Sequence, residues 1–328
     1  WEYGRLNITN TVLSKRKLLK IRDEGVIDSL DDPRLYTLPA LRRRGVPPAA
    51  INGFVRELGV TTANTVIEVG RLEKHIRDCL NDITPRLMGA LQPLKVILEN
   101  LPANHFEEVS LPFKPRDDSF GYHTVPFTRT LYIDASDFRL EDSPNYYRLA
   151  PGKTVGLQNI KYPITCKDVK RDADGNVTEV ICHYENGGSS VPKPKAYIQW
   201  VADCPERNSP IRISEVRIFK DLFNHANPHN KDEVPGGWLS DVNRDSLEVY
   251  KDAVVEVGFW DVVKQHVPAK KAERSLYYDG VRTQLVRIGY FALDKDSELP
   301  DNFADIKGFA GSKIVLNRVI ALKEDVNK

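Results

Sequence analysis

Hydrophobic spacing divides the chain into a helical first third and a β-rich remainder. From Lys15 to about Pro102 the apolar residues fall at i, i+3, i+4 and i+7. Leu18, Leu19 and Ile21 form one stripe, Ile51, Phe54, Val55 and Leu58 a second, and Leu72, Ile76, Cys79, Leu80 and Ile83 a third. Gly25 reads as a stop for the first helix, and Pro47 and Pro48 as the start of another that Gly45 and Gly59 bracket. The stripes are read as the packed faces of a small helical bundle. Past Pro102 the texture changes to short runs rich in β-branched and aromatic residues: Val125 to Ile133, Thr154 to Leu157, Lys161 to Val169, Val177 to Tyr184, Ala196 to Ala202, Ile211 to Phe219, Thr283 to Leu293 and Lys313 to Leu322. Asp172-Ala173-Asp174-Gly175-Asn176 reads as a hairpin turn between two of them. Many short strands at this spacing predict closed barrels, and the length suits two.

Residues 1–13 read as the last strand and loop of a preceding domain, orphaned on their own. The polar stretch Asn224 to Arg244 is expected to be a loop crossing between barrels, and Asp294 to Ser312 an acidic surface excursion. The expected domains are therefore 1–20, the edge of an α/β domain; 21–101, helical; and 102–328, two β-barrels with an unassigned boundary between them.

Composition narrows the class. The chain has 328 residues, 41% of them hydrophobic, enough for several cores. No apolar run approaches the roughly 20 residues that span a bilayer, and no signal-like segment opens the chain. Cys79, Cys166, Cys182 and Cys204 lie far apart with no C-x-x-C pair, which argues for free thiols rather than a zinc ribbon. The first residue is Trp1 and the one methionine is Met88, so the expectation is that an upstream part has been removed. Net charge is only +1, but the first hundred residues carry 16 Lys and Arg against 12 Asp and Glu, and the rest is net acidic. Any affinity for RNA must then come from placed cations and shape.

The chemistry centres on Val12-Leu13-Ser14-Lys15-Arg16-Lys17, three cations and a hydroxyl at the start of a helical pattern. Ser14 is placed to cap the first turn, whose free N–H groups and dipole attract anions. A capped surface helix with a basic first turn satisfies the same residues, so the motif alone is ambiguous. Upstream lies Trp1-Glu2-Tyr3-Gly4-Arg5-Leu6-Asn7; downstream lie Asp31-Asp32-Pro33-Arg34 and Leu41-Arg42-Arg43-Arg44-Gly45.

Together these segments resemble the glutaminyl-tRNA synthetases of eukaryotic type, class I aminoacyl-tRNA synthetases whose second signature motif, KMSKS elsewhere, takes the form V-[ML]-S-K-R-K. The resemblance extends over the whole chain and implies the C-terminal part of such an enzyme: the end of a Rossmann-type catalytic domain, a helical bundle and two anticodon-binding barrels. It implies a cytoplasmic ligase that activates glutamine with ATP, Mg2+ accompanying the nucleotide, and transfers it to tRNA. The first signature motif and the glutamine pocket belong upstream, so these 328 residues alone are expected neither to charge tRNA nor to exchange pyrophosphate. The chemistry relies on positioning and electrostatics, so no catalytic dyad, protein-bound metal or histidine is nominated. Two competing readings are the eukaryotic-type glutamyl-tRNA synthetases, against which the Trp1 to Arg5 opening and Gln284 weigh, and a non-enzymatic RNA-binding fragment.

Residue by residue, the resemblance gives Ser14, Lys15 and Arg16 to the ATP triphosphate, Lys15 foremost, with Leu6 and Asn7 along the nucleotide and Arg5 as a further phosphate contact. Thr62 to Val69, with Thr62 and Glu68, corresponds to the segment at the inside corner of the tRNA. Arg86 matches an arginine that reads the anticodon, and Asn145, Tyr147, Arg148, Gln284 and Arg287 fall on other anticodon-contacting positions; Arg86 and Gln284 are expected to meet the central base. Gly156 and Gln158 stand where bacterial members have arginines. Arg42 to Arg44, like Lys15 to Lys17, are expected to meet RNA phosphates.

Overall fold

The structure is a computed structural model that describes residues 2–187, 193–268, 271–300 and 312–323. Strand β1 (Asn7–Ile8) pairs in parallel with β2 (Val66–Ile67), so the opening segment is not orphaned as the sequence suggested. Gly4 N–H donates to Thr61 O at 2.8 Å, and Ile8 and Val12 are buried, whereas Tyr3 remains 75% exposed. Trp1 lies outside the described residues.

Four helices occupy the first quarter: α1 (Lys15–Asp23), α2 (Leu38–Arg44), α3 (Pro48–Leu58) and α4 (Val69–Ile83). Local chemistry sets their ends. Thr37 accepts from Ala40 N–H at the start of α2, and Gly45, with φ of 99°, closes it in the left-handed conformation that glycine adopts without strain. The stripes are buried at Leu18, Ile21, Phe54, Leu72, Ile76 and Leu80, but Val55 and Ile83 face solvent. Two cores result. Leu41, Ala50, Phe54, Leu72, Ile76 and Leu80 pack on Tyr290, Ala292, Val319 and Ile320 from the distal sheet. Val12, Leu18, Ile21, Ile27 and Leu35 meet Leu222 and Phe223, with Trp238 and Val242 laid against them. The stretch read as a loop between barrels thus folds back onto α1 and helps cover it.

The expected helical region ends early. After α4 the chain forms three short strands rather than more helix: β3 (Arg86–Leu87), β4 (Gly89–Ala90) and β5 (Pro93–Leu98). Leu94, Val96 and Leu98 alternate inward with a period of two, and Pro93 stands first in its strand, where its missing N–H costs least. Next come β6 (Phe106–Pro112), β7 (Tyr122–Thr128) and β8 (Thr130–Asp134), then β9 (Thr154–Leu157), β10 (Ile164–Arg171) and β11 (Val177–Tyr184), the last two joined at the hairpin turn read from Asp172 to Asn176. The remaining strands are β12 (Tyr197–Ile198), β13 (Val201–Ala202), β14 (Ile211–Ile213), β15 (Glu215–Phe219), β16 (Leu247–Tyr250), β17 (Ala253–Val255), β18 (Arg282–Leu285), β19 (Gly289–Leu293) and β20 (Val315–Ala321). A fifth helix, α5 (Phe259–His266), has no counterpart in the sequence reading.

The architecture is a multi-sheet α+β arrangement. A seven-stranded sheet runs β12-β9-β10-β11-β5-β8-β13 around a core that includes Val96, Phe127, Leu131, Ile164, Cys182 and Trp200. A six-stranded sheet, β16-β15-β20-β19-β18-β3, and a three-stranded one, β14-β17-β4, enclose a second core with Ile213, Val255, Phe259, Leu285, Phe291 and Leu316. Asp294 corrects a further expectation: it is fully buried rather than on a surface excursion, while residues 301–311 of that stretch lie outside the described residues.

Candidate phosphate and nucleic-acid contact sites

At the head of α1, Ser14 occupies the N-cap with extended backbone, but its hydroxyl makes no capping bond, contrary to the sequence expectation. The first-turn N–H groups are therefore left without that acceptor. Lys15 and Arg16 are exposed, and among the described residues neither side chain has a hydrogen bond or ion pair. Lys17 behaves differently from its neighbours. Its Nζ lies 2.9 Å from His229 Nε2 and 5.4 Å from the Trp238 ring centroid. Burial, then the charges of Arg5 and Arg16, pull its pKa down; burial and the charges of Lys17 and Arg5 do the same to His229. Arg5, Arg16 and Lys17 thus crowd one locality with positive charge, which disfavours protonation of His229 and favours an anion.

Arg5 Nε donates to Asn7 Oδ1 at 3.1 Å, and Asn7 Nδ2 returns a bond to Arg5 O, which fixes the Arg5-Leu6-Asn7 turn. Parallel pairing sets this turn beside the segment 62–69. A Cβ on Gly4 would stand 2.6 Å from Ala63 O, so the approach of the two backbones requires glycine. Thr62 and Glu68 are exposed, Glu68 standing at the N-cap of α4 without a side-chain capping bond.

The distal residues converge in two groups. Arg86 on β3 and Gln284 on β18 are direct partners in a parallel register, so their side chains leave the same face. Gln284 is only 8% exposed and its Oε1 is buried without a hydrogen-bond partner, an acceptor left open beside a cation. Arg86 Nη2 reaches Asn81 Oδ1 at 3.4 Å from the end of α4.

The second group gathers on Asp137, which the sequence reading missed. Arg287 Nη2 donates to its Oδ1 at 2.8 Å, and Arg148 Nη1 approaches the same oxygen at 3.1 Å. Burial pushes the Asp137 pKa up despite both guanidiniums. These residues line a groove of about 410 Å³ with Gln92, Gln199 and Tyr250. Arg287 holds φ of 65° at the tip of the β18–β19 hairpin, a conformation that costs energy for a non-glycine residue. Gln199 ties that tip to the seven-stranded sheet by donating to Val286 O and accepting from Gly89 N–H. Asn145 and Tyr147 are exposed nearby in sequence. Asp137 and Gln199 carry no motif; only the folded register reveals them.

Arg43 and Arg44 leave the list of phosphate contacts. Arg43 spans Asp294, Asp296 and Asp31, and Arg44 donates to Val319 O; only Arg42, with its side chain 65% exposed, still faces outward.

Comparison with known proteins gives two family models that meet end to end. Residues 1–82 match the catalytic domain of class I tRNA synthetases (E and Q), and residues 84–185 match their anticodon-binding domain. The whole chain is 42% identical to glutamine–tRNA ligase of Saccharomyces cerevisiae, 41% to that of Mus musculus, and 42% to a cytoplasmic glutamine–tRNA ligase of Arabidopsis thaliana. It covers 40% of the yeast protein and 38% of each of the other two.

Proposed function

Because the chain belongs to the class I tRNA synthetases of the glutamate and glutamine group, we propose that it forms the C-terminal part of a glutamine–tRNA ligase acting in the cytoplasm. Its share of the work is to hold the ATP triphosphate and to read the anticodon, while the glutamine pocket lies elsewhere in the longer protein. In this reading the four helices form the bundle, the seven-stranded sheet is one barrel, and the six- and three-stranded sheets form the second.

At the nucleotide, Lys15 is the principal group. It and Arg16 have no counter-charge among the described residues, so both are available to phosphate oxygens as pyrophosphate departs, and a cation fixed where negative charge develops lowers the barrier by several kcal/mol. Ser14, with an unspent hydroxyl, and the first-turn N–H groups add hydrogen bonds, and Arg5 adds a further cation. The backbone of Leu6 and Asn7 lies against the nucleotide, and Mg2+ arrives with ATP. Thr62 and Glu68 meet the inside corner of the tRNA, where a carboxylate accepts from a 2′-hydroxyl or base amino group.

The observation that carries the anticodon reading is the Arg86–Gln284 pair. Two residues nominated separately, far apart in the chain, are register partners on adjacent strands, with a buried acceptor left open. A guanidinium donor and a carboxamide match the edge of uridine at the central anticodon position. Arg148, Arg287 and Asn145 then take neighbouring bases. The test is equilibrium binding of the 328-residue chain to an anticodon-hairpin RNA carrying the central uridine, and to one with that base changed. Arg86→Ala and Gln284→Ala should each cost about 1–3 kcal/mol with the uridine hairpin and much less with the other, by analogy with good base contacts. Equal losses on both RNAs would reduce the pair to phosphate or structural contacts.

A further inference from the structure

On the outer face at the β12 edge of the seven-stranded sheet, Tyr197 lies flat on the backbone of Gly156. The two are register partners in the parallel β12–β9 pair, and a Cβ on Gly156 would stand 2.4 Å from Tyr197 Cδ1 and 2.5 Å from its Cε1. One ring face is therefore applied to the strand, yet the residue is 54% exposed, so the other face is open to solvent. Two residues earlier, Thr154 at the start of β9 and Lys195 just before β12 border a groove of about 580 Å³. Tyr147, 48% exposed, lines that groove with Lys153 and Lys193, and Lys195 Nζ stands 5.8 Å from the Tyr147 ring centroid. Asp142, the acid of the groove, is already paired with Lys153, which leaves Lys193 and Lys195 to set its sign.

From this arrangement we infer that Tyr197 and Tyr147, with Lys195 between them, form a stacking platform for unpaired RNA nucleotides beside the Arg148–Arg287 groove. Open aromatic faces accept any base, and interleaved lysines follow the phosphates, which is how proteins hold single strands without reading their edges. Tyr147 adjoins Arg148 in the chain, so the platform continues the proposed anticodon site and rests on that reading. It also supplies a physical role at Gly156, where no side chain projects to meet a base: the glycine seats the ring.

The probe is a short RNA hairpin with a seven-nucleotide loop, made with 2-aminopurine at single loop positions, whose fluorescence falls on stacking. Titrated with the 328-residue chain, at least one loop position should be quenched. Tyr197→Leu, which keeps an apolar cover on Gly156 but removes the ring, should abolish that quenching and weaken binding about tenfold, equivalent to about 1.4 kcal/mol. Tyr197→Phe should stay within about twofold of the unaltered chain. Arg287→Ala serves as the control for the anticodon reading. If Arg287→Ala weakens binding while Tyr197→Leu changes neither affinity nor quenching, the platform is refuted and the anticodon reading stands. Absence of binding by the unaltered chain would overturn both. Equal weakening by Tyr197→Leu and Tyr197→Phe, with a matching fall in thermal stability, would reduce Tyr197 to a cover for the sheet. Preference for a poly-aspartate peptide over the hairpin would likewise refute an RNA platform.

Discussion

Replacing Arg43 with methionine should damage the fold far more than it damages any contact with RNA. Arg43 Nε and Nη2 donate to the two oxygens of Asp294 at 3.0 and 3.2 Å, Nη2 also reaches Asp296 at 2.9 Å, and Nη1 stands 3.4 Å from Asp31. The Asp294 side chain is fully buried and that of Arg43 only 15% exposed. Stripping one partner from a buried ion pair costs about 3–5 kcal/mol because a charge is left unmatched. Here Arg217 at 3.4 Å, the Asp296 N–H at 2.9 Å and the Asn317 carboxamide still serve Asp294, so about 2–3 kcal/mol is expected once these contacts are credited. Arg42→Met is the internal control: its ion pair to Asp279 lies at the surface on the Arg42 side and should contribute about 0–1 kcal/mol. Native-state amide exchange reads the difference locally, on α2 and β20, where Asn317 also holds Arg43 O. Arg43→Lys should recover little, since an ammonium cannot make the two-pronged contact. Equal exchange in Arg43→Met and Arg42→Met, with a reduced salt slope for RNA binding in the former, would refute this reasoning and return Arg43 to the phosphate contacts.

Acid should weaken the same network. Burial pulls the carboxyl of Asp296 up, but Arg217 and Arg43 outweigh it; for Asp31, burial is outweighed by Lys295, Ser29 and Arg43; both pKa values therefore sit below the ordinary 3.8. Carboxyls depressed in the folded state stabilise it above their unfolded pKa, so this contribution should be intact above about pH 4 and disappear as pH falls below 3.8, readable as a loss of α2 protection. In the longer ligase proposed above, Lys15→Ala should lower kcat by about 10²–10³ and alter the tRNA Kd far less, because its contact strengthens as charge develops; an unaltered kcat in steady-state charging would remove Lys15 from the site. Gly4→Ala should force its backbone away from Ala63 O and strip exchange protection from Gly4 and Thr9, which donate to Thr61 O and Ile67 O; persistent protection at both would show that the two segments part without loss.

Periodicity located α1, α3 and α4, the last because Leu72, Ile76 and Leu80 are spaced for one buried face, but not the seven-residue α2, and it located Thr154–Leu157 and Val177–Tyr184 as strands. It failed where one pattern serves two periods. Ile97, Leu98 and Leu101 extend the helical stripes on paper, yet Leu94, Val96 and Leu98 are the inward side of a strand. It missed α5 because eight residues, buried at Phe259, Trp260, Val262 and Val263 and exposed at Asp261, Lys264 and Gln265, are too few to establish a helical period. It missed β6 because most of Phe106–Pro112 is open to solvent and shows no apolar alternation. The basic run Arg42-Arg43-Arg44 shows the limit for chemistry. Charge alone suggested phosphate for all three, and only the fold supplied Asp294, more than two hundred residues away, as the partner of one.

The candidate site was legible as residue types and not as a geometry. Arg86 and Gln284 become a pair only through the β3–β18 register, and Arg148 and Arg287 only through Asp137. Both relations pass through one hairpin. Gln284 lies on its first strand, Arg287 at its tip in a left-handed turn, and Gln199 pins the adjoining carbonyl to the seven-stranded sheet. Separating the two sheets would therefore break the Arg148–Asp137–Arg287 cluster and free the tip, so a site drawn from both sheets keeps a single shape only while they stay docked. That accounts for the small buried polar set at the junction: Gln199 and Asp137 are desolvated at a cost, and each is matched by contacts that exist only in the assembled arrangement. Preorganisation of the proposed base-reading groups is a property of the interface between the sheets, and neither sheet holds it alone.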